Sequence, residues 1–144
     1  MSMSPEDIKA IVFYRKQKAY ATLQEAEEMI QTAHWNLAIQ RLYYAAFYMA
    51  SALLVKNKIS AQTHNGVVAQ LGMHFITTGK LDKPEGRLYS RLLQNRITGD
   101  YNDFFDFTEE DAKELLEPTK KLVKKLDLLI EQCDKCMEEQ EHKP

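Results

Sequence analysis

Glycine and proline are scarce in this sequence, five and four among 144 residues, which argues against the frequent tight turns of a β-sandwich or barrel. Cysteine is scarcer still. Cys133 and Cys136 form one C-x-x-C pair inside a charged segment, whereas a disulfide framework needs more pairs and a structural zinc needs four ligands. Cys133 continues the apolar spacing Leu126, Ile130, Cys133, Met137 and reads as a packed thiol, so neither a metal nor a cofactor is expected. No apolar run approaches the roughly 18 residues of a membrane helix. The opening MSMSPEDIK also lacks the basic-then-apolar plan of an export signal. The expectation is a cytoplasmic protein without a membrane partner.

Positive excess is missing too. A net charge of −2 means that the chain as a whole is no glue for polyanions; no reading of a DNA duplex is expected, and any nucleic-acid contact must be local. The densest basic run, KKLVKK from Lys120 to Lys125, has acids on both sides and reads as a solvated helix face.

What is present is helical periodicity. Residues 1–144 are long enough for one domain around a single core, with 135–144 expected as a frayed tail. Ser4-Pro5-Glu6-Asp7 opens a helix by cap, first-turn proline and acids, and Ile8, Ile11, Val12, Ala19, Leu23, Ala26 and Ile30 carry its stripe to about Ala33. A second helix, Trp35 to about Lys56, is apolar over a wider arc and should be central. A third runs from near Thr63 to Thr77 and ends at Gly79. A fourth spans roughly Glu85 to Thr98, with Gly99 placed as a C-terminal stop. Thr108 with Glu109, Glu110 and Asp111 opens the last helix, which Pro118 is expected to kink. The fold class is therefore all-α, an antiparallel up-and-down bundle of about five helices.

The stretch NRITGDYND, Asn95 to Asp103, carries the chemistry. Arg96 stands within the stripe of Tyr89, Leu92 and Leu93, so its stem should pack inward and its guanidinium needs a partner. Asp100 is four residues on, in the weaker order for a helical pair and against the dipole. The expectation is that the carboxylate sits in the turn beyond Gly99, where a planar pair can form. This is either a structural brace or an anion site. In the second helix Arg41, Tyr44 and Tyr48 lie at i, i+3 and i+7, one polar-tipped aromatic stripe able to face Arg96. His64, at the start of the third helix, has three readings: cap, packed ring or proton shuttle near neutral pH.

RLYYAAFYMASALL (Arg41 to Leu54), THNGVVAQLGMHFITTGKL (Thr63 to Leu81) and RITGDY (Arg96 to Tyr101) together resemble the HEPN family of small helical proteins, in its branch ending in Arg-x-x-x-Asp-Tyr. The resemblance covers about residues 17 to 130. It implies a bundle that commonly dimerises with the arginine motifs of two subunits near one cleft. It also implies association with nucleotides or RNA, and often a small nucleotidyltransferase partner in prokaryotic toxin-antitoxin modules.

Ribonuclease members carry an arginine followed four to six residues later by histidine. Arg96 matches the arginine, but positions 100 to 102 are Asp100, Tyr101 and Asn102. Cleavage by 2′-hydroxyl attack wants a base near neutrality and a group that stabilises the phosphorane. Asp100, an acid beside an arginine, is a poor proton donor. The reading is a homodimeric, non-catalytic protein that binds a nucleotide or RNA phosphate through Arg96, Asp100 and Tyr101 with Arg41 and Tyr44, and works with a nucleotidyltransferase. One alternative is a metal-independent endoribonuclease toxin using Arg96, Asp100 and His64 or a tyrosine. Another is a helical interaction module whose Arg-Asp pair is only a brace.

Overall fold

Cap residues set where the helices begin. Ser4 accepts the Asp7 amide and Asp7 returns the bond; Asp82 and Glu85 do the same, as do Thr108 and Asp111. Each pair satisfies two amides that a helix start leaves orphaned. The computed structural model describes residues 3–102 and 104–141, with side chains as far as Gln132. It contains α1 (Pro5–Gln31), α2 (Trp35–Lys56), α3 (His64–Leu71), α4 (Lys83–Tyr101) and α5 (Glu109–Glu141). This is the expected all-α bundle, and among the described residues no helix is long and apolar enough to cross a membrane.

The wide apolar arc of α2 makes it the hub. Ala38, Leu42, Ala45, Ala46, Met49 and Leu53 are fully buried, and α2 packs on α1, α4 and α5. Its alanines let the neighbouring helices approach closely. Lys16 pairs with Asp127 at 2.6 Å and Lys120 pairs with Glu27, so α1 and α5 run in opposite directions.

Two expectations need correction. The third helix does not run as one α-helix to Thr77: after Leu71 the chain widens into a π-turn, Gly72–Ile76, closed by the Thr77 amide on the Gly72 carbonyl at 3.1 Å. Gly79, at φ 79°, then ends it as expected. The fourth helix begins earlier, capped by Asp82, and passes through Gly99 to Tyr101. Gly99 is therefore not a stop. A Cβ there would lie 3.2 Å from Cε2 of Phe107, so the residue lets the 104–108 segment press against the helix.

That segment is pinned to the start of α2. Asn36 Oδ1 accepts the Phe107 amide at 2.7 Å while its Nδ2 donates to Asp106 at 3.1 Å. Helix α5 runs through Pro118 to Glu141. The packing of Cys133 lies beyond the described side chains, as does the expectation for the final residues, 142–144 beyond the described chain altogether.

Candidate functional site

Arg96 extends from α4 onto the aromatic surface of α2. Its Cζ lies 5.5 Å from the Tyr44 ring centroid and 5.9 Å from that of Tyr43, within the range of cation–π attraction. Its Nε donates to Asp100 Oδ2 at 3.0 Å. The side chains are 17% and 31% exposed, so the pair is neither walled off nor freely solvated. Because α4 continues through Gly99, Asp100 sits on the same helix one turn on, not in a turn beyond it. A pair of that order and exposure stabilises a helix by about 0.5 kcal/mol at most. Its larger effect is to fix the orientation of the guanidinium.

Below the arginine lies a second polar contact. Tyr43 is fully buried, and its hydroxyl is 2.5 Å from Nδ1 of His64. Burial, chiefly, pushes the Tyr43 phenol up to about 12, with Tyr89 and Arg96 acting in the opposite direction. Burial and then the positive charge of Arg96 hold His64 below its ordinary value. At neutral pH the site therefore holds a fixed cation, a neutral imidazole and a neutral phenol. The His64 ring packs 4.7 Å from Phe47 and 6.2 Å from Tyr44. Tyr89 lies buried beside Tyr43, ring centroids 6.0 Å apart, and its hydroxyl makes no well-aligned hydrogen bond.

The structure thus brings Arg96, Asp100, Tyr44 and His64 together. It does not bring Arg41 there: Arg41 turns to Glu25 of α1 at 3.8 Å. Tyr48 meets Lys18, whose Nζ is 4.9 Å from its ring. The expected stripe of Arg41, Tyr44 and Tyr48 is divided among three neighbours. Tyr101 is 77% exposed at the end of α4, next to the exposed Phe104 and Phe105. His64 is not the cap of α3; Thr63 is, accepting the Gly66 amide at 2.9 Å, which leaves the imidazole for Tyr43.

Sequence reasoning missed Tyr43 and Phe47. The run YYAAFY held the signal, since adjacent tyrosines on a buried helix cannot share one face and an inward phenol needs a polar partner.

A small cleft of about 180 Å³ opens beside Arg96 and Asp100, closed by Asn36, Gln40 and Phe107. A larger cleft of about 660 Å³ between α3, α4 and α5 is walled by Val68, Leu71, Ile76 and Leu81. Its wall reaches Tyr89 but not Arg96, Asp100, Tyr44 or His64.

Comparison with known proteins adds context to this geometry. Residues 13–129 match the family model described as the HEPN domain. A UPF0332 protein of Thermotoga maritima is 34% identical over 121 residues, covering 84% of this chain and 92% of that protein. Two proteins of Methanocaldococcus jannaschii, each named "Putative toxin", are 30% identical over 69% of this chain and 68% of theirs, and 28% identical over 77% and 79%.

Proposed function

The chain belongs to the HEPN domain family, and from that premise we propose that it binds an RNA or nucleotide phosphate at Arg96 as part of a toxin-antitoxin-like module. The observation that carries this reading is the partly exposed Arg96 side chain, its guanidinium laid on Tyr43 and Tyr44 and held at one edge by Asp100. A guanidinium keeps several donors in a rigid fork, and phosphate oxygens match that fork. The adjoining rings offer flat apolar surface to a base or ribose. Asp100 acts as the orienting partner and Tyr101 as an exposed ring at the end of the same helix, while Arg41, turned to Glu25, has no part in this arrangement. The names of the two archaeal relatives support the toxin-like setting. The family resemblance supports a homodimer, in which a second subunit would cover Tyr101, Phe104 and Phe105, and a nucleotidyltransferase partner.

A second reading, metal-independent RNA cleavage, is favoured by one observation: His64 lies in the same cluster as Arg96, although the family's motif histidine is absent. A neutral imidazole can take the proton of a 2′-hydroxyl while the oxygen attacks phosphorus. The 5′ oxygen then leaves and receives a proton from the imidazolium, and Arg96 offsets the charge on the phosphorane.

Both readings meet one experiment. Purified protein is titrated with labelled RNA and with mononucleotides, and the products are separated by size. Wild type should bind and Arg96→Ala should not, at similar melting temperature. Cleavage that is lost in both Arg96→Ala and His64→Gln would select the second reading, and intact RNA bound tightly would select the first. Absence of any nucleotide or RNA binding would leave Arg96–Asp100 as a brace.

A further inference from the structure

A net charge near zero conceals an uneven distribution. No aspartate or glutamate occurs from Ile8 to Gln24, nor from Met29 to Leu81. These stretches build most of α1, all of α2, the segment after it and all of α3. They meet at a cleft of about 300 Å³ whose wall includes Tyr14, Arg15, Lys18, Phe47, Tyr48 and His64. His64 is thus shared: one side meets the Tyr43–Arg96 cluster, and the other borders this cleft.

The two cations of the cleft differ from their neighbours. Lys16 is tied to Asp127, Arg41 to Glu25 and Lys120 to Glu27. Arg15 and Lys18 have no carboxylate partner among the described residues. The Lys18 ammonium instead lies 4.9 Å from the Tyr48 ring and 5.6 Å from the Tyr14 ring. Aromatic faces hold an ammonium in place without consuming its N–H donors. Tyr14, 63% exposed, also leaves ring surface for a stacking partner.

We propose that this cleft is a second phosphate-and-base subsite, through which single-stranded RNA anchored at Arg96 continues past His64 to Lys18 and Arg15. The proposal rests on the reading of Arg96 as an RNA-phosphate site. A relay of rings joins the two ends: Arg96 lies 5.5 Å from Tyr44, Tyr44 5.9 Å from Tyr48, and Tyr48 4.9 Å from Lys18. Cations at opposite ends of that relay cannot share one phosphate, so the fitting ligand carries several. Aromatic rings interleaved with cations suit unpaired bases, whereas paired bases in a duplex present no face to stack on. The acid-free stretches of α1, α2 and α3 lower the repulsion a polyanion meets beyond Asp100, which stands at the Arg96 end of the path.

The test measures binding of a mononucleotide, single-stranded RNAs of two, four and eight nucleotides, an RNA duplex and polyglutamate, each over a range of salt. Affinity should rise with length up to about four nucleotides and be weaker for the duplex. Arg15→Ala with Lys18→Ala should weaken the tetranucleotide about tenfold and reduce the salt slope by about two. It should leave the mononucleotide unchanged, and Arg15→Lys with Lys18→Arg should restore binding. These side chains are at least partly exposed, so the variants should fold.

Arg96-dependent binding with no gain from length and no effect of the double variant would overturn the subsite and leave the Arg96 reading standing. No binding of any RNA would remove both. Polyglutamate bound through Arg15 and Lys18 in preference to RNA would make the cleft a docking site for an acidic peptide and overturn the proposal.

Discussion

The Tyr43 hydroxyl lies 2.5 Å from Nδ1 of His64, so one contact joins the buried middle of α2 to the first residue of α3. Its direction decides what His64 can do. If Tyr43 donates, the other ring nitrogen carries the proton and the imidazole has no free lone pair. If Nδ1–H donates, Nε2 is free to act as a base, and the Tyr43 proton can turn toward the otherwise unpartnered hydroxyl of Tyr89.

Replacing Tyr43 by phenylalanine separates these cases while keeping the ring packing. Loss of one hydrogen bond should cost about 1 kcal/mol of stability. An imidazolium is a stronger donor than an imidazole, so a bond donated by Nδ1 raises the histidine's proton affinity, and Tyr43→Phe should lower it. Nuclear magnetic resonance titration of the His64 ring reads this directly. A rise instead would assign the donor role to Tyr43 and remove His64 as a base.

His64 also predicts a pH dependence of stability. Its proton affinity is held down in the folded chain. Between the folded and unfolded values, the unfolded chain therefore binds a proton that the folded chain does not. Stability rises with pH across that window and is fully present above the unfolded value of about 6.5. It should fall as the pH drops below that point, well above the range where most carboxylates titrate. Denaturant melts between pH 7.5 and 5.5 should show this slope in wild type and a flatter profile in His64→Gln. Equal slopes in the two proteins would mean that some other group is responsible.

The Arg96–Asp100 pair offers a contrast of stability with binding. Asp100→Asn removes a partly exposed helical ion pair and should change stability by less than about 0.5 kcal/mol. It should nevertheless weaken the ligand several-fold, because the guanidinium loses its fixed edge. Arg96→Lys keeps the charge but loses the planar fork, and binding should drop by at least tenfold. Isothermal titration of the two variants beside wild type checks both. Full affinity in Arg96→Lys would show that charge alone matters there.

How far these features could be read from the chain depends on the distance between the residues involved. Ser4, Thr108 and the stripe of α2 are local signals, and each lies where cap chemistry and periodicity put it. Gly99 is the instructive failure. A glycine near the end of a periodic run fits the rule for helix stops, yet its cause is Phe107, eight residues on, which no local rule inspects. Tyr43 and His64 are separated by a whole loop, so their bond depends on how α3 docks. Arg96 was legible as an inward arginine because its own helix stripe shows it, whereas Arg41 was misplaced because its choice between α1 and α4 is tertiary. The basic cleft was in plain view as two acid-free stretches, but averaging charge over the chain hid it.

The last contact at issue is the one that holds the cleft's floor. Asn36 accepts the Phe107 amide and donates to Asp106, tying the segment after α4 to the start of α2. Alanine at position 36 would leave that partly buried amide without a partner, which costs about 1–3 kcal/mol. Asn36→Asp keeps the acceptor but places a carboxylate against Asp106, so its loss should be smaller and should shrink with added salt. Because Asn36 and Phe107 also close the cleft beside Arg96, Asn36→Ala should weaken RNA binding with Arg96 untouched. It should also expose Phe104 and Phe105 to faster cleavage by chymotrypsin. If the alanine variant melts and resists protease as wild type does, the packing of Phe107 under Gly99 is sufficient by itself to hold the segment.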